Sequence, residues 1–358
     1  MLKAISTIPS YYLFRSFGWP QRLPMNLTLS ITNRCNSRCK TCNIYNKKSE
    51  ELDLQEWKRI LHSLGKVPFW ATISGGEPFL RPDLLDLVCS LYDQCHPSII
   101  NIPTNGLLRD RIPAVVEQIA DHCKGSQIII NLSLDDVGES HDAIRGVPGN
   151  YEKSVETLMA LKSLDAPNLS IGVHTVISKF NVNRIPGIYE GLLTLRPDSY
   201  VTEIAEERIE LNNMGFDITP EFKDYALAVD FLADAIRKDH FNRVGRMTRA
   251  LRLEYYALVK RILSERRQVI PCYAGIASAQ IAPNGDVWMC CVKAEPVGNL
   301  GEVGYDFSRI WFSEKAKIMR RRIRKGDCYC PLANANYTNM LYHFRTLSRV
   351  ARNLITMR

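Results

Sequence analysis

The stretch from Leu27 to Cys42, LTLSITNRCNSRCKTC, is the part of the sequence that decides the fold. Its first five residues, Leu27–Ile31, are rich in apolar and β-prone residues and predict a buried strand. Three cysteines, Cys35, Cys39 and Cys42, follow at the spacing C-x3-C-x2-C in the loop after this strand. Closely spaced soft ligands on one loop can wrap around a single metal centre. Zinc sites usually complete four protein ligands, and no fourth ligand lies nearby in the sequence.

Strand-like and helix-like segments alternate from this stretch onward. The predicted strands are Leu27–Ile31, Trp70–Ser74, Ile99–Thr104, Ile128–Leu134, Ile171–Val176 and Val201–Ala205. The clearest predicted helices between them are Leu52–Leu64, Asp83–Tyr92 and Tyr151–Leu164. This alternation predicts a parallel sheet, and six strands predict a partial (β/α)6 barrel that is open on one side. Ligands of such sheets bind at the carboxyl ends of the strands.

A different pattern begins near Asp217 and predicts a C-terminal extension. Its predicted elements are the helices Pro220–Lys238 and Arg246–Arg266, the strands Ala279–Ile281 and Val287–Cys290, and a terminal helix Met340–Arg358. The turn Pro283-Asn284-Gly285 joins the two strands, and Asn-Gly is a strong hairpin signal. We therefore predict an α/β fold, a partial (β/α)6 barrel with a C-terminal extension holding a β-hairpin and helices. The predicted segments are a basic, aromatic N-terminal segment (1–24), the barrel (25–215), a helical connector (216–268), a region with the later cysteines (269–335) and an amphipathic basic terminal helix (336–358).

The composition is that of a globular protein. The chain has 358 residues, of which 46% are hydrophobic and 23% are charged, and this excludes a disordered, collagen-like or coiled-coil chain. We find no apolar run long enough to span a membrane, and the first 24 residues lack the features of a signal peptide. Eleven cysteines without an export signal favour metal binding or redox chemistry over disulfides.

The positive charge is concentrated at the C-terminal end. Ser313–Arg358 carries 11 basic and 2 acidic residues, a net of +9, whereas the whole chain carries +8. A basic surface over the whole protein, as for nucleic-acid binding, is therefore not predicted. On a helix over Met340–Arg358, apolar residues lie on one side and arginines on the other. Two interpretations stay open: a helix docked on the protein body, and a helix lying on an anionic membrane surface.

The three-cysteine loop resembles the signature of the radical S-adenosylmethionine (SAM) enzymes, in which C-x3-C-x2-C follows the first barrel strand. The resemblance implies that Cys35, Cys39 and Cys42 hold a [4Fe–4S] cluster whose remaining iron binds SAM. It also implies that the enzyme cleaves SAM reductively to a 5′-deoxyadenosyl radical, which abstracts a hydrogen from the substrate.

Shorter motifs at the ends of the next predicted strands match the same family. The sequence Gly-Gly-Glu-Pro after the second strand has the position of a motif that binds the SAM amino group, and glycine lets a backbone approach a ligand closely. The implied SAM contacts are Gly75, Gly76, Glu77, Pro78, Thr104 and Ser133. An adenine contact is expected near Val176. The stretch His141–Gly146, HDAIRG, resembles one common in a branch of the family, and we assign it no catalytic role.

The later cysteines resemble the C-terminal iron–sulfur extensions called twitch and SPASM domains. The resemblance implies that one auxiliary [4Fe–4S] cluster is held by Cys272, Cys290, Cys328 and Cys330. The last pair is C-x-C, where the family usually has C-x2-C, and Cys291 duplicates the hairpin position. We assign Cys290 as the ligand because neighbours on a strand point to opposite faces. Cys291 is a candidate thiol hydrogen donor, and tetrahedral zinc at the four thiolates is the alternative.

The predicted function is that of a radical SAM oxidoreductase or epimerase. Dehydrogenation or epimerisation of a small-molecule sugar or alcohol, or of a lipid-linked substrate, comes first. Modification of a ribosomal peptide is an alternative, ranked lower because the 34 residues before Cys35 are too few for a winged-helix peptide-binding module. A nonenzymatic iron–sulfur electron carrier is a further alternative, although a carrier needs no amine-binding motif.

The sequence also gives expectations for partners and location. A flavodoxin- or ferredoxin-type reductant is the expected electron donor, and no nucleic acid is expected. The expected location is cytoplasmic, and the membrane interpretation of the C-terminal helix would add peripheral contact at the membrane surface.

Overall fold

Six parallel strands form the body of the protein, as the alternating pattern predicts. The computed structural model describes residues 2–356, apart from residues 49, 239–242 and 327. The strands are β1 (Asn26–Thr32), β2 (Trp70–Gly75), β3 (Ile99–Thr104), β4 (Gln127–Ser133), β5 (Leu169–Ile177) and β6 (Ser199–Ile204). Each pairs in parallel with the next. The six predicted strands are therefore confirmed, with small shifts at their ends.

Helices follow the strands and cover one face of the sheet. They are α2 (Leu54–Leu64), α3 (Leu84–Cys95), α4 (Arg111–His122), α5 (Glu139–Arg145), α6 (Asn150–Lys162) and α7 (Ile185–Leu193), and α1 (Leu2–Phe17) precedes β1. In β1, Leu27, Leu29 and Ile31 join the main hydrophobic core. Thr28, Ser30 and Thr32 alternate with them and face the other side of the sheet, so β1 presents hydroxyls there.

The C-terminal extension continues the barrel sheet. Strand β7 (Ser278–Ile281) pairs in parallel with β1, and β8 (Asp286–Trp288) and β9 (Pro296–Asn299) add antiparallel strands beyond it. The sheet has nine strands in the order β6-β5-β4-β3-β2-β1-β7-β8-β9. The predicted hairpin is confirmed, but its second strand ends at Trp288 and not at Cys290. Cys290 therefore lies in the turn that follows the strand.

The remaining helices are α8 (Phe222–Lys238), α9 (Arg243–Glu265), α10 (Phe307–Trp311), α11 (Glu314–Lys325), α12 (Ala333–Leu341) and α13 (Phe344–Thr356). The prediction of one terminal helix over Met340–Arg358 is wrong, because the chain turns between α12 and α13. At this turn Tyr342 is buried and stacks on Tyr273, with ring centroids 4.4 Å apart. A continuous helix would carry Tyr342 away from this contact.

Helix α13 docks on the protein body through its apolar side. Thr346 and Val350 are buried and the helix packs against α9, while Arg345, Arg349 and Arg352 stay exposed. Arg358, the end of the predicted helix, lies outside the described residues. Of the two interpretations of this helix, the structure shows the docked one.

Helix α1 anchors the N-terminal segment to the same region. Tyr11 and Phe14 are buried, and the Tyr11 hydroxyl donates a hydrogen bond to the Leu23 carbonyl at 2.6 Å. The Tyr11 and Tyr342 rings lie 5.6 Å apart. Within the part of the chain that the structure describes, none of the helices has both the length and the apolar character needed to cross a bilayer.

Candidate functional site

The loop after β1, residues 33–43, carries the first three cysteines and is called the cysteine loop below. Cys35, Cys39 and Cys42 are half-buried free thiols. Burial raises the pKa of Cys35 to about 11 and that of Cys42 to about 12, and the nearby Cys39 sulfur adds to both shifts. The three sulfurs are therefore neighbours in a site that disfavours bare thiolates. Metal coordination compensates thiolate charge, so cluster binding here is coupled to proton release.

Nitrogen donors surround these sulfurs. The backbone N–H of Ser37 donates to Cys35 Sγ at 3.5 Å, and the Asn105 amide nitrogen lies 3.9 Å from the same sulfur. The Arg145 guanidinium donates to Cys39 Sγ at 3.7 Å. Hydrogen bonds to sulfur stabilise thiolate ligands and tune the potential of iron–sulfur clusters. The donors and their surroundings therefore fit the cluster that the sequence implies.

Two glycines at the end of β2 hold the start of the cysteine loop. A Cβ on Gly75 would lie 2.2 Å from the Thr32 carbonyl oxygen, and one on Gly76 would lie 2.1 Å from that of Arg34. The Gly76 and Glu77 backbone N–H groups donate to the same two carbonyls at 2.7 and 2.8 Å. The glycines are thus required by contact with the backbone that leads to Cys35. From the sequence we expected these glycines to let the backbone approach a ligand closely. The structure shows that they let it approach the Thr32 and Arg34 carbonyls.

Glu77 joins the ends of β2 and β3. Its carboxylate is buried and accepts hydrogen bonds from the Thr104 hydroxyl at 2.9 Å, the Asn105 N–H at 2.8 Å and the Phe79 N–H at 3.2 Å. Burial raises its pKa to about 7, against the opposing effect of these donors. Glu77 and Thr104 are therefore engaged with each other. Their implied contacts with SAM stay predictions, as does that of the half-buried Ser133.

The HDAIRG stretch acquires a role that the sequence did not reveal. The His141 ring is buried, accepts a hydrogen bond from the Asp135 N–H at 3.1 Å and contacts the Asn150 side chain at 2.7 Å. Burial lowers the His141 pKa, which favours the neutral ring. Arg145 pairs with the Asp135 carboxylate at 2.9 Å and also reaches Cys39. The stretch therefore places a buried cation against a cysteine sulfur.

The end of α5 also holds the middle of the cysteine loop through its backbone. The Arg38 N–H donates to the Arg145 carbonyl at 2.9 Å, and the Lys40 N–H donates to the Ile144 carbonyl at 2.8 Å. Gly146 has a φ of +66°, and a Cβ there would lie 2.3 Å from the Arg38 carbonyl oxygen. A residue without a side chain is therefore required where α5 meets the loop.

The segment after β6, residues 205–213, holds the end of the cysteine loop. The Asn43 N–H donates to the Leu211 carbonyl at 2.9 Å, and the Asn213 side chain donates to the Thr41 carbonyl at 2.8 Å. Three distant parts of the chain, at β2, α5 and the segment after β6, thus hold one loop. Sequence periodicity carries no signal for such contacts.

The five later cysteines, called the auxiliary cysteines below, also come together. They are Cys272, Cys290, Cys291, Cys328 and Cys330, and all are free thiols. Burial raises the Cys272 pKa to about 12, with contributions from the nearby Cys290 and Cys328 sulfurs. Among the described histidine, cysteine and carboxylate side chains, no three are placed to hold a single metal ion.

Cys291 has a different environment from Cys290. Because β8 ends at Trp288, both residues lie in a turn, and the argument from strand alternation does not apply. The Cys291 pKa is raised chiefly by burial and then by the charge of Glu210, whereas Cys328 is among the neighbours of Cys290. Arg208 acts on Cys291 and also on Cys42 of the cysteine loop. The charge of Arg208 therefore acts on a cysteine of each group.

Gly146→Ala tests whether the close contact with Arg38 contributes to stability and iron content, in addition to the cost of a left-handed backbone at an alanine. Gly149 is a matched control, because it also has a positive φ, +70°, and open space where a Cβ would lie. Gly149→Ala should cost about 1–2 kcal/mol of unfolding free energy from the left-handed backbone alone. Gly146→Ala should cost about 1–3 kcal/mol more through overpacking and should lower iron content. Urea unfolding and iron analysis measure both, and equal losses in the two variants would contradict the role of this contact.

Two family models match the chain. The radical SAM superfamily matches residues 29–192, and the SPASM iron–sulfur cluster-binding domain matches residues 272–331. The first match covers the cysteine loop and the strands around it, and the second covers the auxiliary cysteines.

Relatives with assigned roles share low identity with this chain. The subtilosin biosynthesis protein AlbA of Bacillus subtilis is 23% identical over 357 residues, which cover 92% of this chain and 72% of that protein. The PqqA peptide cyclase of Gluconobacter oxydans is 30% identical over 178 residues, covering 46% of this chain and 45% of the cyclase.

The fold is also that of solved structures. SuiB of Streptococcus suis bound to SAM superposes with a TM-score of 0.62 at 18% identity, covering 83% of this chain and 68% of SuiB. The enzyme anSMEcpe with bound SAM superposes with a TM-score of 0.62 at 14% identity, covering 94% of this chain and 100% of that chain. The two family models and the fold agree, and the chain belongs to the radical SAM superfamily, with a C-terminal SPASM iron–sulfur domain.

Proposed function

We propose that this radical SAM enzyme modifies a peptide substrate. The observation that carries the proposal is the likeness to AlbA, a bacteriocin biosynthesis protein, over 92% of the chain. The PqqA peptide cyclases and the sporulation killing factor maturation protein SkfB of Bacillus subtilis are further relatives, each over about half of the chain. These relatives favour the peptide alternative over the sugar, alcohol or lipid-linked substrate that the sequence analysis placed first.

The cysteine loop and the residues around it are the part of the chain where we propose that SAM is cleaved. In enzymes of this superfamily, the cluster and SAM together supply a 5′-deoxyadenosyl radical that abstracts a hydrogen from the substrate. We propose that Cys35, Cys39 and Cys42 hold this cluster. Glu77 fixes the ends of β2 and β3 beside the cysteine loop, and Arg145 provides a positive charge at Cys39. A flavodoxin- or ferredoxin-type protein stays the predicted electron donor.

A largely buried network of charged side chains surrounds Arg208 in the segment after β6. Arg208 lies 3.5 Å from a Glu203 oxygen, 3.7 Å from a Glu210 oxygen and 3.9 Å from a Glu206 oxygen. Burial raises the pKa of Glu206 to about 7. The Ile209 N–H also donates to the Val292 carbonyl at 3.2 Å, so the segment after β6 contacts the turn with the auxiliary cysteines. This arrangement supports a substrate site bordered by both cysteine groups.

Co-production with a candidate precursor peptide tests the proposed function. Short peptides encoded beside the gene would be produced with the enzyme under anaerobic conditions, and mass spectrometry would measure their mass. We expect one peptide to change mass and to stimulate 5′-deoxyadenosine formation by the purified enzyme.

A triple variant with Cys35, Cys39 and Cys42 replaced by Ala is the control. It should lose roughly half of the iron, because one of two clusters is gone, and should form no 5′-deoxyadenosine. Stimulation of 5′-deoxyadenosine formation by sugars or alcohols, and by none of the peptides, would contradict the peptide proposal. Full SAM cleavage by the triple variant would contradict the assignment of the cluster.

The auxiliary cluster can be examined alone in this triple variant. We propose Cys272, Cys290, Cys328 and Cys330 as its ligands, with Cys291 beside Arg208 instead. Adding Cys272→Ala should therefore empty the site, whereas adding Cys291→Ala should leave it loaded. Iron counts and Mössbauer spectra measure the outcome. If Cys291→Ala empties the auxiliary site and Cys290→Ala does not, Cys291 is the ligand and Cys290 is not. If the site binds zinc and no iron, an auxiliary iron–sulfur cluster is excluded.

The charge of Arg145 should raise the reduction potential of the first cluster. A fixed cation stabilises the more negative reduced state. Arg145→Gln also leaves Asp135 unpaired, so the potential should fall by on the order of 60 mV, a tenfold change in a one-electron equilibrium. Arg145→Lys keeps the charge and should retain most of the potential. Potentiometric titration followed by EPR, without SAM, measures the effect.

Arg184→Gln is the matched control for Arg145→Gln. Arg184 is half-exposed and pairs with Asp136, the neighbour of Asp135, at 3.0 Å. Its loss should leave the potential unchanged. An unchanged potential in Arg145→Gln with full iron content would show that Arg145 only stabilises the fold.

A further inference from the structure

The end of α1 exposes a group of large apolar side chains. Phe17 is 78% exposed, Trp19 73%, Tyr12 56% and Leu13 39%. The other side of the helix holds it in place, because Phe14 is buried in a small core with Tyr273 and Tyr342. The exposed group is therefore a fixed feature of a docked helix, and such clusters on protein surfaces mark interaction sites.

A basic groove lies beside this group, between α1 and α11. It encloses a cavity of about 270 Å³. Its basic lining residues are Arg15, Lys317, Arg320, Arg321 and Arg324, and its larger apolar ones are Phe14, Phe17, Ile276 and Ile323. Cys272, one of the auxiliary cysteines, also lines it. No acidic residue is among the described residues that line it. Phe17 belongs to both the exposed group and the groove, so the two form one continuous face.

Part of this charge builds the groove and part is available to a ligand. Arg320 and Arg324 donate to backbone carbonyls that hold α11 against its neighbours. Lys317 pairs with the exposed Glu314 at 3.0 Å. The Arg321 side chain makes no ion pair or hydrogen bond with any described residue. The groove thus offers unneutralised positive charge to an anion from outside.

We propose that this face, Tyr12, Leu13, Phe17 and Trp19 with the basic groove, docks on the surface of an anionic lipid bilayer. Aromatic side chains are favourable at the level of lipid headgroups, where one end is apolar and the other wet. Arginine and lysine next to them are attracted to anionic headgroups, each by about 1 kcal/mol. The face combines both requirements on one side of the molecule.

Other polyanions fit this face less well. A nucleic acid would use the basic residues and could stack on Trp19 and Phe17. Leu13, and Ile318 on α11, are 39% and 51% exposed, and aliphatic side chains provide no stacking surface.

Membrane contact by the C-terminal helix stayed open from the sequence. In the structure α13 packs against α9 with Val350 buried, although Phe344 and Ile355 are exposed. A cavity lined by basic residues beside exposed aromatic side chains lies instead at the opposite end of the chain.

Vesicle co-sedimentation of the full-length, cluster-loaded protein tests the proposal. Phosphatidylcholine vesicles with and without phosphatidylglycerol would be compared at low and high salt. The protein should pellet with the anionic vesicles at low salt and much less with neutral ones. Phe17→Ser/Trp19→Ser should weaken the partition about tenfold through lost apolar contact, and Arg321→Glu should do so through reversed charge.

Phe222→Ser/Leu227→Ser on α8 is the matched control, because these two apolar residues are 43% and 64% exposed away from the groove. It should bind as the wild type does. All variants alter exposed side chains, and iron content checks that they are folded. No binding to anionic vesicles, equal binding to neutral ones, or equal loss in the control would each overturn the proposal. Binding of an RNA oligonucleotide or an acidic electron carrier, without vesicle binding, would also overturn it.

Discussion

The structure depends on how the cysteine loop is held in place. A loop with three thiols has no regular secondary structure to fix it, yet a cluster requires fixed sulfur positions. Backbone hydrogen bonds from Glu77, Arg38 and Asn43 connect the loop to the end of β2, to α5 and to the segment after β6. Glycines are needed where β2 and α5 meet this backbone, because a Cβ would collide with a carbonyl oxygen. The barrel places the end of β2, α5 and the segment after β6 where they can make these contacts.

The two cysteine groups are parts of one framework. Strand β7 extends the barrel sheet from β1, so the extension with the auxiliary cysteines is attached by the same ladder of hydrogen bonds that positions the cysteine loop. The segment after β6 bonds to the cysteine loop and to the turn with Cys291, and it carries Arg208, which is near three carboxylates. A substitution that shifts one cysteine group is therefore expected to shift the other, because β1, β7 and the segment after β6 connect them.

The positively charged side chains fall into two groups, buried ones near the cysteines and exposed ones on α11. Near the cysteines, cations are buried and paired, as Arg145 is with Asp135, and they act on a sulfur. At the far surface, α11 carries seven basic residues and one acidic residue, and Arg321 makes no ion pair with a described residue. The net charge of +8 thus hides two kinds of site. We propose that one kind tunes the potential of the first cluster and that the other binds an anionic surface.

The sequence by itself determined the six barrel strands, the hairpin and both cysteine groups, because periodicity and ligand spacing are local properties of the chain. Only the tertiary structure decided that Arg145 reaches Cys39 and that Gly146 must lack a side chain. It also separated α12 from α13, because Tyr342 is buried against Tyr273. Each of these depends on a contact between segments distant in sequence, for which a single chain carries no periodic signal. Local patterns therefore specified which residues could bind metal, and long-range packing decided how they are held.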